Sequence, residues 1–239
     1  MKLSVVIPAH NEEKYISRCL ESLKRYVVGD QRLLEIIVVD NASTDKTAEV
    51  VRRFPFAKLV YEPNKGLTWA RQRGLLSAKG DLLGYLDADT EIGDGWLDRI
   101  YAHFSSRDDL VCVSGPAYYF DATPWQGRIT HIYWDYIARS TYKVVGYMIM
   151  GGNFIAKKEA LEKMGGFDTS IPFYGEDTNI ARRLNEIGKV LFDNNLKVYS
   201  SGRRLKEEGV LKTGVVYATN YLSEAILKRP VTRSYKDIR

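Results

Sequence analysis

The sequence predicts an α/β fold in which a mostly parallel, Rossmann-like sheet is covered by helices on both faces. Short continuous apolar segments alternate with segments of helical periodicity through the first half of the 239 residues. Continuous apolar strands are typical of parallel sheets that are buried on both faces. Polar clusters follow three of these strands. The hydrophobic content of 45% and the charged content of 27% are those of a globular protein.

The first half alternates regularly between the two kinds of element. Strands are predicted at residues 3–7, 33–39, 58–61 and 81–86. The first intervening helix is expected to be capped by Asn11, with Glu12 and Glu13 in its first turn. The second is expected to open at residues 43–45 and the third to cover 67–78. This order predicts parallel strands joined by helical crossovers.

The second half is less regular. It predicts helices at residues 96–104, 125–137, 158–164 and 176–187, and strands at 111–114 and 148–156. The apolar face of 125–137 is open to two interpretations, core packing or an acceptor cleft. We expect one catalytic domain at 1–208, with halves at 1–112 and 113–208, followed by a basic extension at 209–239.

Charge and composition narrow the class of protein. The net charge of +5 lies entirely in residues 203–239, which hold nine Lys/Arg and four Asp/Glu. This distribution argues against a nucleic-acid groove and indicates either a solvated helix face or contact with an anionic membrane. A helix at 210–227, interrupted by Gly214 and ending at residues 228–230, would form that surface. Cys19 and Cys112 lie in apolar patterns and indicate core positions. We therefore expect a cytoplasmic protein, whose basic extension would allow peripheral contact with the inner face of the membrane.

The pair Asp87 and Asp89 directly follows the strand predicted at 81–86. Carboxylate oxygens are the hard ligands that Mg²⁺ or Mn²⁺ prefers, usually together with phosphate oxygens. A turn or capping role is the alternative. Two further polar clusters, at 8–12 and 40–45, also follow strands. Ligands of open α/β sheets bind beyond the carboxyl ends of the strands, so the three clusters together predict a nucleotide site.

Six segments in order resemble the family 2 glycosyltransferases, which have the GT-A fold. They are Ser-Val-Val-Ile-Pro-Ala-His-Asn-Glu-Glu at 4–13, Val-Val-Asp-Asn-Ala-Ser-Thr-Asp at 38–45, Asn-Lys-Gly at 64–66 with Arg71, Leu-Asp-Ala-Asp at 86–89, Gly-Gly-Asn at 151–153 and Gly-Glu-Asp at 175–177. The resemblance covers residues 3–205 and implies a donor-binding first half and a less regular acceptor half.

The resemblance implies a donor site for a nucleotide sugar. The residues expected to bind the donor are Pro8, Ala9, Glu12, Asp40, Asn41, Lys65, Arg71 and Asp87. Asp40 would accept a hydrogen bond from a uracil or guanine N–H, because a carboxylate only accepts; UDP is favoured over GDP. Asp89 would bind the metal directly, and Asp87 would bind ribose or reach the metal through water.

The resemblance also implies the acceptor side. Asp177 would be the general base, supported by Glu176, although both could merely complement the start of a helix. Gly151 and Gly152 would allow close approach of a sugar, and Asn153 would bind its hydroxyls; a strand bulge is the alternative.

Many relatives carry a histidine metal ligand after the Glu-Asp motif, and no histidine occurs in residues 198–204. Either water and phosphate oxygens would complete the metal shell, or Arg203 and Arg204 would take part of the electrostatic load near the phosphates.

The predicted activity is metal-dependent, inverting transfer of a sugar to an acceptor hydroxyl of a glycan or a lipid-linked glycan. One alternative is a non-catalytic sugar-nucleotide-binding scaffold of the same fold. A sugar nucleotidyltransferase is disfavoured because residues 8–12 lack a glycine-rich loop. A polysaccharide synthase is disfavoured because no apolar run approaches the ~18 residues of a membrane span. Oligomeric state is left open.

Overall fold

The computed structural model describes residues 1–171, 173–228 and 231–232. Its strands are β1 (Leu3–Ala9), β2 (Leu33–Asn41), β3 (Ala57–Glu62), β4 (Leu82–Leu86), β5 (Glu91–Ile92), β6 (Leu110–Ser114), β7 (Ala117–Tyr119), β8 (Asn153–Lys157), β9 (Lys189–Phe192) and β10 (Val198–Ser200). Its helices are α1 (Ile16–Gly29), α2 (Thr47–Val51), α3 (Leu67–Ser77), α4 (Trp96–Ser106), α5 (Pro124–Ile132), α6 (Arg139–Val145), α7 (Lys158–Lys163), α8 (Glu176–Asn185), α9 (Arg203–Glu208) and α10 (Val210–Leu227). A π-helical segment, Tyr133–Ala138, joins α5 to α6.

The central sheet has seven strands in the order β3-β2-β1-β4-β8-β6-β9. Strands β1 to β4 are parallel, β6 is parallel to β9, and β8 runs antiparallel to both of its neighbours. The α/β fold with a mostly parallel sheet is therefore confirmed. A second sheet has the order β5-β10-β7 and brings the loop after β4 close to the segment before α9.

Each face of the central sheet has its own apolar core. On β1, Val5 and Ile7 belong to the core beneath α1 and α4, whereas Val6 belongs to the core beneath α3 and α8. This alternation follows from the two-residue period of a strand. Strands β1, β2 and β4 are consequently buried over most of their length, as their continuous apolar sequences indicate, whereas the edge strand β3 is partly exposed.

The first helix differs from its predicted start. It begins at Ile16, and Asn11 lies in the loop before it with φ of +53°. Asn11 Oδ1 accepts a hydrogen bond from Thr44 N–H (2.8 Å) and so joins the loops after β1 and β2. The prediction of Asn11 as a helix cap is wrong, because its side chain is used between loops.

The segment predicted as a helix at 125–137 is one continuous helical rod over α5, the π-helical segment and α6. Its inner side includes Gln126, Thr130 and Ala138, which are buried, and the Trp134 ring stacks on Phe192. Most of its apolar side chains point outward, so core packing does not account for them.

Helix α10 packs against α8 and α9. Glu224 is fully buried there, where it accepts hydrogen bonds from Asn179 Nδ2 (2.9 Å) and Arg182 Nη2 (3.3 Å). No helix among the described residues is long and apolar enough to cross a membrane. Arg229 and Pro230, predicted to end the basic segment, lie outside the described residues; the boundary at residue 208 stays a prediction.

Candidate active site

Polar residues gather where β1, β2 and β4 end, at one edge of the sheet. Ala9 is the pairing partner of Asp40 across β1 and β2, and the loop holding Asp87 follows the adjacent β4. Parallel neighbours necessarily end at the same edge, so the tertiary structure brings together the three clusters that the sequence separates. Pro8 lies in the same strand end, next to Ala9.

Asp40 and Asn41 occupy the end of β2 but differ in their contacts. Ser43 N–H donates to Asp40 Oδ1 (3.2 Å). Asn41 Nδ2 donates to the carbonyl of Asn64 (2.7 Å), and its Oδ1 accepts from Gly66 N–H (2.7 Å). The amide of Asn41 thus orders the loop between β3 and α3, which also carries the exposed Lys65.

Asp89 is held by two groups from the segment around β10 and α9. Ser200 Oγ donates to Asp89 Oδ1 (2.9 Å), and Arg203 Nη2 lies 3.2 Å from Asp89 Oδ2. Arg203 also forms a two-pronged pair with Glu12, through Nη1 to Oε2 (2.9 Å) and Nη2 to Oε1 (2.5 Å). One guanidinium therefore contacts two buried carboxylates that are far apart in the chain, and offsets part of their combined charge.

Burial is the main cause of the raised pKa of Asp89 in this cluster. Loss of solvent raises the pKa of Asp89 to about 7, Arg203 opposes the rise, and Asp87 and Glu12 add to it. The pKa of Arg203 lies above its ordinary value, because its bonds to Glu12 and the charge of Asp89 outweigh the cost of burial. The Glu12 side chain is thus an ion-pair partner of Arg203 beside the predicted donor site.

Arg71 is the centre of a second cluster. It is almost fully buried, and its Nη1 donates to Glu176 Oε2 in a short contact while its Nη2 donates to the carbonyl of Gly151 (2.8 Å). Asp87 Oδ1 lies 3.9 Å from Nη2. Burial raises the pKa of Glu176, and the charge of Arg71 acts in the opposite direction. Arg71 therefore links the loop that carries Asp87 and the turn at Gly151 to the start of α8, where Glu176 is its ion-pair partner.

Gly151 and Gly152 lie between these carboxylates at the turn before β8. A Cβ atom on Gly152 would stand 2.4 Å from Asp87 Oδ2, and one on Gly151 would stand 2.7 Å from Glu176 Oε1. Neither distance is sterically allowed without a shift. These glycines let the backbone lie directly against two site carboxylates.

Asp177 follows Glu176 at the start of α8 and is partly accessible. Thr178 N–H donates to Asp177 Oδ1 (2.8 Å), and burial raises the pKa of the carboxyl group. Burial raises the pKa values of the phenols of Tyr133, Tyr217 and Tyr221, and the charge of Asp177 adds to the rise in each. Tyr133 belongs to the segment 125–137, for which an acceptor cleft is one of the two interpretations from the sequence. Tyr217 and Tyr221, which are four residues apart on α10, were not predicted as site residues, because no local pattern shows that α10 packs against α8.

Two predicted site residues are placed differently from expectation. Asn153 is fully buried, where its Oδ1 accepts from Trp96 Nε1 (3.0 Å) and its Nδ2 donates to the carbonyl of Leu196 (2.7 Å). Its amide is used within the core and does not face a sugar. Arg204 contacts residues other than Asp89: its Nη1 donates to Tyr174 Oη (3.2 Å), and its guanidinium lies over the Phe173 ring.

Few side chains at this site could act as ligands of a metal ion. Within the described part of the chain, no group of three or more His, Cys, Asp or Glu side chains is arranged to hold a metal ion. Asp87 and Asp89 supply two carboxylates from one turn, and the Asp87 side chain is 41% exposed. Two carboxylates completed by phosphate oxygens and water are an ordinary arrangement for Mg²⁺ or Mn²⁺, so these residues fit such an ion in the presence of a diphosphate.

The family model for glycosyl transferase family 2 matches residues 4–165, which is more than half of the chain. This chain belongs to glycosyl transferase family 2. The match includes the ends of β1, β2 and β4 and the glycine turn, and it stops before α8. The family that the ordered motifs indicated is thereby confirmed, and five of the six motifs lie within the match, the exception being the motif at 175–177.

Among curated relatives, the chain is 35% identical over 113 residues to the uncharacterized glycosyltransferase YibD of Escherichia coli, which covers 46% of this chain and 32% of that protein. It is 23% identical over 214 residues to the glycosyltransferase GlyG of Streptococcus pneumoniae, covering 87% of this chain and 63% of the relative. The alignments span only about a third of the length of the first curated relatives that match.

Two solved structures share the fold. The mannosyltransferase PcManGT from Pyrobaculum calidifontis, in complex with GDP-Man and Mn²⁺, superposes with a TM-score of 0.70 at 20% identity over 95% of this chain and 63% of that one. Glucosyl-3-phosphoglycerate synthase from Mycobacterium tuberculosis, in complex with Mn²⁺ and UDP-Glc, has a TM-score of 0.64 at 22% identity over 94% and 78% of the two chains. The GT-A fold is confirmed by these superpositions.

Proposed function

We propose that this chain transfers a sugar from a UDP- or GDP-linked donor to an acceptor hydroxyl, with inversion at the anomeric carbon. The observation that carries the proposal is the convergence of Asp40, Asp89 and Asp177, with their neighbours, around the carboxyl edge of one sheet. Family membership and two GT-A structures solved with nucleotide sugars and Mn²⁺ support it.

The donor binds, in this proposal, across the ends of β1, β2 and β4. Among the described hydrogen bonds, Asp40 receives one, from Ser43 N–H to Oδ1, so Oδ2 accepts the N–H of a uracil or guanine ring. Pro8 and Ala9 form the wall beside the base, and the exposed Lys65 lies on a neighbouring loop. Uridine is favoured over guanosine as the base.

Asp89 and Asp87 are the residues that would hold a Mg²⁺ or Mn²⁺ ion. When bound, such an ion offsets the negative charge that develops on the departing diphosphate. Arg203 supplies permanent positive charge at the same place through its contact with Asp89. Arg71 positions Glu176 and the turn at Gly151, and so fixes the proposed donor side relative to the proposed acceptor side.

Asp177 is the proposed general base. Thr178 holds Oδ1, and the raised pKa brings this carboxylate closer to the range that suits proton removal. Asp177 Oδ2 accepts the proton of the acceptor hydroxyl as its oxygen bonds to the anomeric carbon. The bond from that carbon to the phosphate oxygen breaks, and the nucleoside diphosphate leaves with the electron pair.

The acceptor class that we propose is a glycan or a lipid-linked glycan. The tyrosines near Asp177 supply aromatic faces on which a sugar ring can pack. We place the enzyme in the cytoplasm, with peripheral contact at the inner face of the membrane.

The donor site is tested by thermal unfolding of the wild type with UDP, GDP, dTDP or CDP, each with and without Mn²⁺. One nucleotide should stabilise the protein in a Mn²⁺-dependent manner, by about 2.7 kcal/mol at a hundred times its Kd. Asp89→Asn should lose this dependence. Asp94→Asn is the matched control, because Asp94 is a nearby and highly exposed acid. Absence of any response in the wild type would contradict the proposed donor site.

The catalytic role is tested separately with Asp177→Asn. The variant should bind the stabilising nucleotide normally and lose transfer by a factor of about 100 or more, since general base catalysis contributes on that order. Full transfer by this variant would contradict the role of Asp177. Normal nucleotide binding by the wild type with no transfer to any glycan or lipid-linked acceptor would favour a sugar-nucleotide-binding scaffold.

A further inference from the structure

The helical rod at residues 124–145 presents a large apolar surface to solvent. Seven of its bulky apolar side chains are between 42% and 87% exposed: Trp125, Ile129, Ile132, Tyr133, Tyr136, Ile137 and Val144. Soluble monomers rarely expose contiguous apolar patches larger than a few hundred Å². This surface therefore needs a physical explanation.

The exposed apolar residues fall on one face of the rod. From Trp125 to Ile137 they follow the spacing i, i+4, i+7, i+8, i+11 and i+12, which aligns side chains along one side of a helix. A different face carries Gln126, Thr130 and Ala138, which are buried against the rest of the protein. The apolar stripe is thus separate from the face by which the rod is anchored.

The anchoring contacts hold the rod firmly to the sheets. Trp134 Nε1 donates to the carbonyl of Ala117 (2.8 Å), and Tyr142 Oη donates to the carbonyl of Val190 (3.2 Å). The stripe is therefore presented on a fixed support and is not a loosely attached helix.

A third face of the rod is basic. Arg128, Arg139 and Lys143 are all exposed, and Asp135 is the one exposed acid in the rod. A helix with an apolar stripe of aromatic and aliphatic side chains, flanked by cations, is typical of segments that lie in the plane of a membrane interface. Tryptophan and tyrosine are particularly suited to the headgroup level, because their rings are apolar and their polar atoms remain hydrated.

The stripe also reaches the proposed acceptor site. Tyr133 belongs to the stripe, and its phenol is within electrostatic range of Asp177. A second protein chain would equally cover the stripe, but it would give no reason for the adjacent cations or for the proximity of Asp177.

We propose that residues 124–145 form an interfacial docking surface for an anionic membrane. A consequence, which rests on the proposed function, is that the acceptor hydroxyl belongs to a molecule anchored in that membrane. The docking itself does not depend on catalysis, so its test is independent of the test of transfer.

The test is sedimentation of the full chain with phosphatidylcholine vesicles that contain or lack phosphatidylglycerol. The wild type should bind the anionic vesicles and bind the neutral ones weakly. Trp125→Ser/Tyr136→Ser should reduce the partition coefficient at least about tenfold. The matched control is Leu34→Ser/Leu76→Ser, which removes two exposed apolar side chains from β2 and α3 and should bind as the wild type does.

The charge contribution is tested with Arg128→Gln/Arg139→Gln/Lys143→Gln. This variant should lose about tenfold or more of its binding to anionic vesicles, and added salt should weaken the wild type in the same direction. Lys24→Gln/Arg52→Gln/Arg53→Gln removes three exposed cations elsewhere and should bind like the wild type. Nucleotide-dependent thermal stabilisation, measured on every variant, should be unchanged and thus reports an intact donor site.

Three results would overturn the proposal. The first is a wild type that ignores anionic vesicles at low salt. The second is undiminished binding by the Trp125→Ser/Tyr136→Ser variant, with binding lost instead in Arg229→Gln/Arg233→Gln/Lys236→Gln. The third is a wild-type dimer that Trp125→Ser/Tyr136→Ser converts to a monomer, which would identify a second copy of the chain as the occupant of the stripe.

Discussion

At the scale of single residues, Arg203 is the cation that joins two carboxylates of the candidate site. It pairs with Glu12 and Asp89, both of which are buried, while its own side chain is 21% exposed. Removing a buried partner leaves uncompensated charge, which is usually more costly than the pair itself is stabilising. Arg203 lies within residues 198–204, where the family resemblance leads us to expect a histidine, and gives this chain a fixed cation there.

We expect Arg203→Met to lower the free energy of unfolding by about 2 kcal/mol at neutral pH, a value reduced for the partial exposure of the side chain. Arg203→Lys should recover part of this loss, since an ammonium lacks the fork that matches Glu12. Urea unfolding measures both. Arg25→Met is the control, because Arg25 and Asp94 form an exposed pair that should contribute about 0.5 kcal/mol or less. Wild-type stability in Arg203→Met would show that the pairing is dispensable.

Gly152 is a second residue with a specific steric role. Gly152→Ala should displace the Asp87 carboxylate, because the new Cβ would stand 2.4 Å from Asp87 Oδ2. We expect the Mn²⁺-dependent affinity for the nucleotide to fall about tenfold or more, as for other changes that disturb ligand orientation. Calorimetric titration of the nucleotide with Mn²⁺ measures this.

Gly127 provides the matched control for that substitution. It lies within α5, and a Cβ there would meet nothing within 4 Å. Gly127→Ala should leave nucleotide affinity unchanged and stabilise the protein by about 0.5–1 kcal/mol through helix propensity. Equal nucleotide affinities for Gly152→Ala and the wild type would contradict the close approach of this turn to Asp87.

At the scale of elements, Asp193 connects α4 to the end of β9. His103 Nε2 lies 2.8 Å from Asp193 Oδ2, and Asn195 N–H donates to Oδ1 (2.9 Å). Burial alone would raise the pKa of Asp193, but the bonds from His103 and Asn195 and the charge of Arg99 lower it overall. The ionised form is therefore favoured by folding.

The lowered pKa of Asp193 determines the direction in which stability changes with pH. A carboxyl group whose pKa is depressed in the folded state stabilises the protein above its unfolded pKa, near 3.9, and this contribution is lost as the pH falls through the folded value. We expect urea unfolding of Asp193→Asn to change less between pH 5 and pH 3 than that of the wild type. Asp109→Asn, at an exposed acid, should keep the wild-type dependence. Parallel pH profiles for Asp193→Asn and the wild type would contradict this contribution.

At the scale of the whole molecule, the two apolar cores depend on the same strands. Cys19 lies in the core beneath α1, and Cys112 lies in the core on the other face of the sheet. Burial raises the pKa values of both thiols well above their usual range, so neither should react while the protein is folded. Because strands such as β1 contribute side chains to both cores, the loss of one core removes support from the other.

We accordingly expect both faces to unfold in one cooperative transition. Cys19→Ala and Cys112→Ala each leave one thiol, whose reaction with Ellman's reagent along a urea series reports one face. Within each variant, thiol exposure should coincide with the loss of helical circular dichroism. Reaction of Cys112 at clearly lower urea than the loss of helix would show that the face covered by α3 and α8 opens separately.

Much of the fold and of the donor edge is predictable from local sequence. Strands β1 to β4 and helices α1, α3 and α4 follow from hydrophobic periodicity, which needs no knowledge of distant partners. The two-residue strand β5 is not predicted, and α2 begins at Thr47, after the predicted opening at residues 43–45. The convergence of Asp40 and Asp87 is also predictable, because parallel strands joined by helices place their carboxyl ends together. The start of α1 is missed, since Asn11 bonds to the loop after β2 and does not cap a helix.

By itself, then, the sequence determined the alternating α/β architecture, the polar edge of the sheet and the family, all of which depend on short-range patterns and their order. Only the tertiary structure decided which charges meet. Arg71 and Glu176 are 105 positions apart, and nothing in their spacing selects this pair. Spacing likewise does not indicate that Asn153 is buried, or that Arg203 and not Arg204 contacts Asp89. Periodicity revealed an apolar face at 125–137, but a helix pattern cannot tell whether another element covers that face; packing leaves it open to solvent.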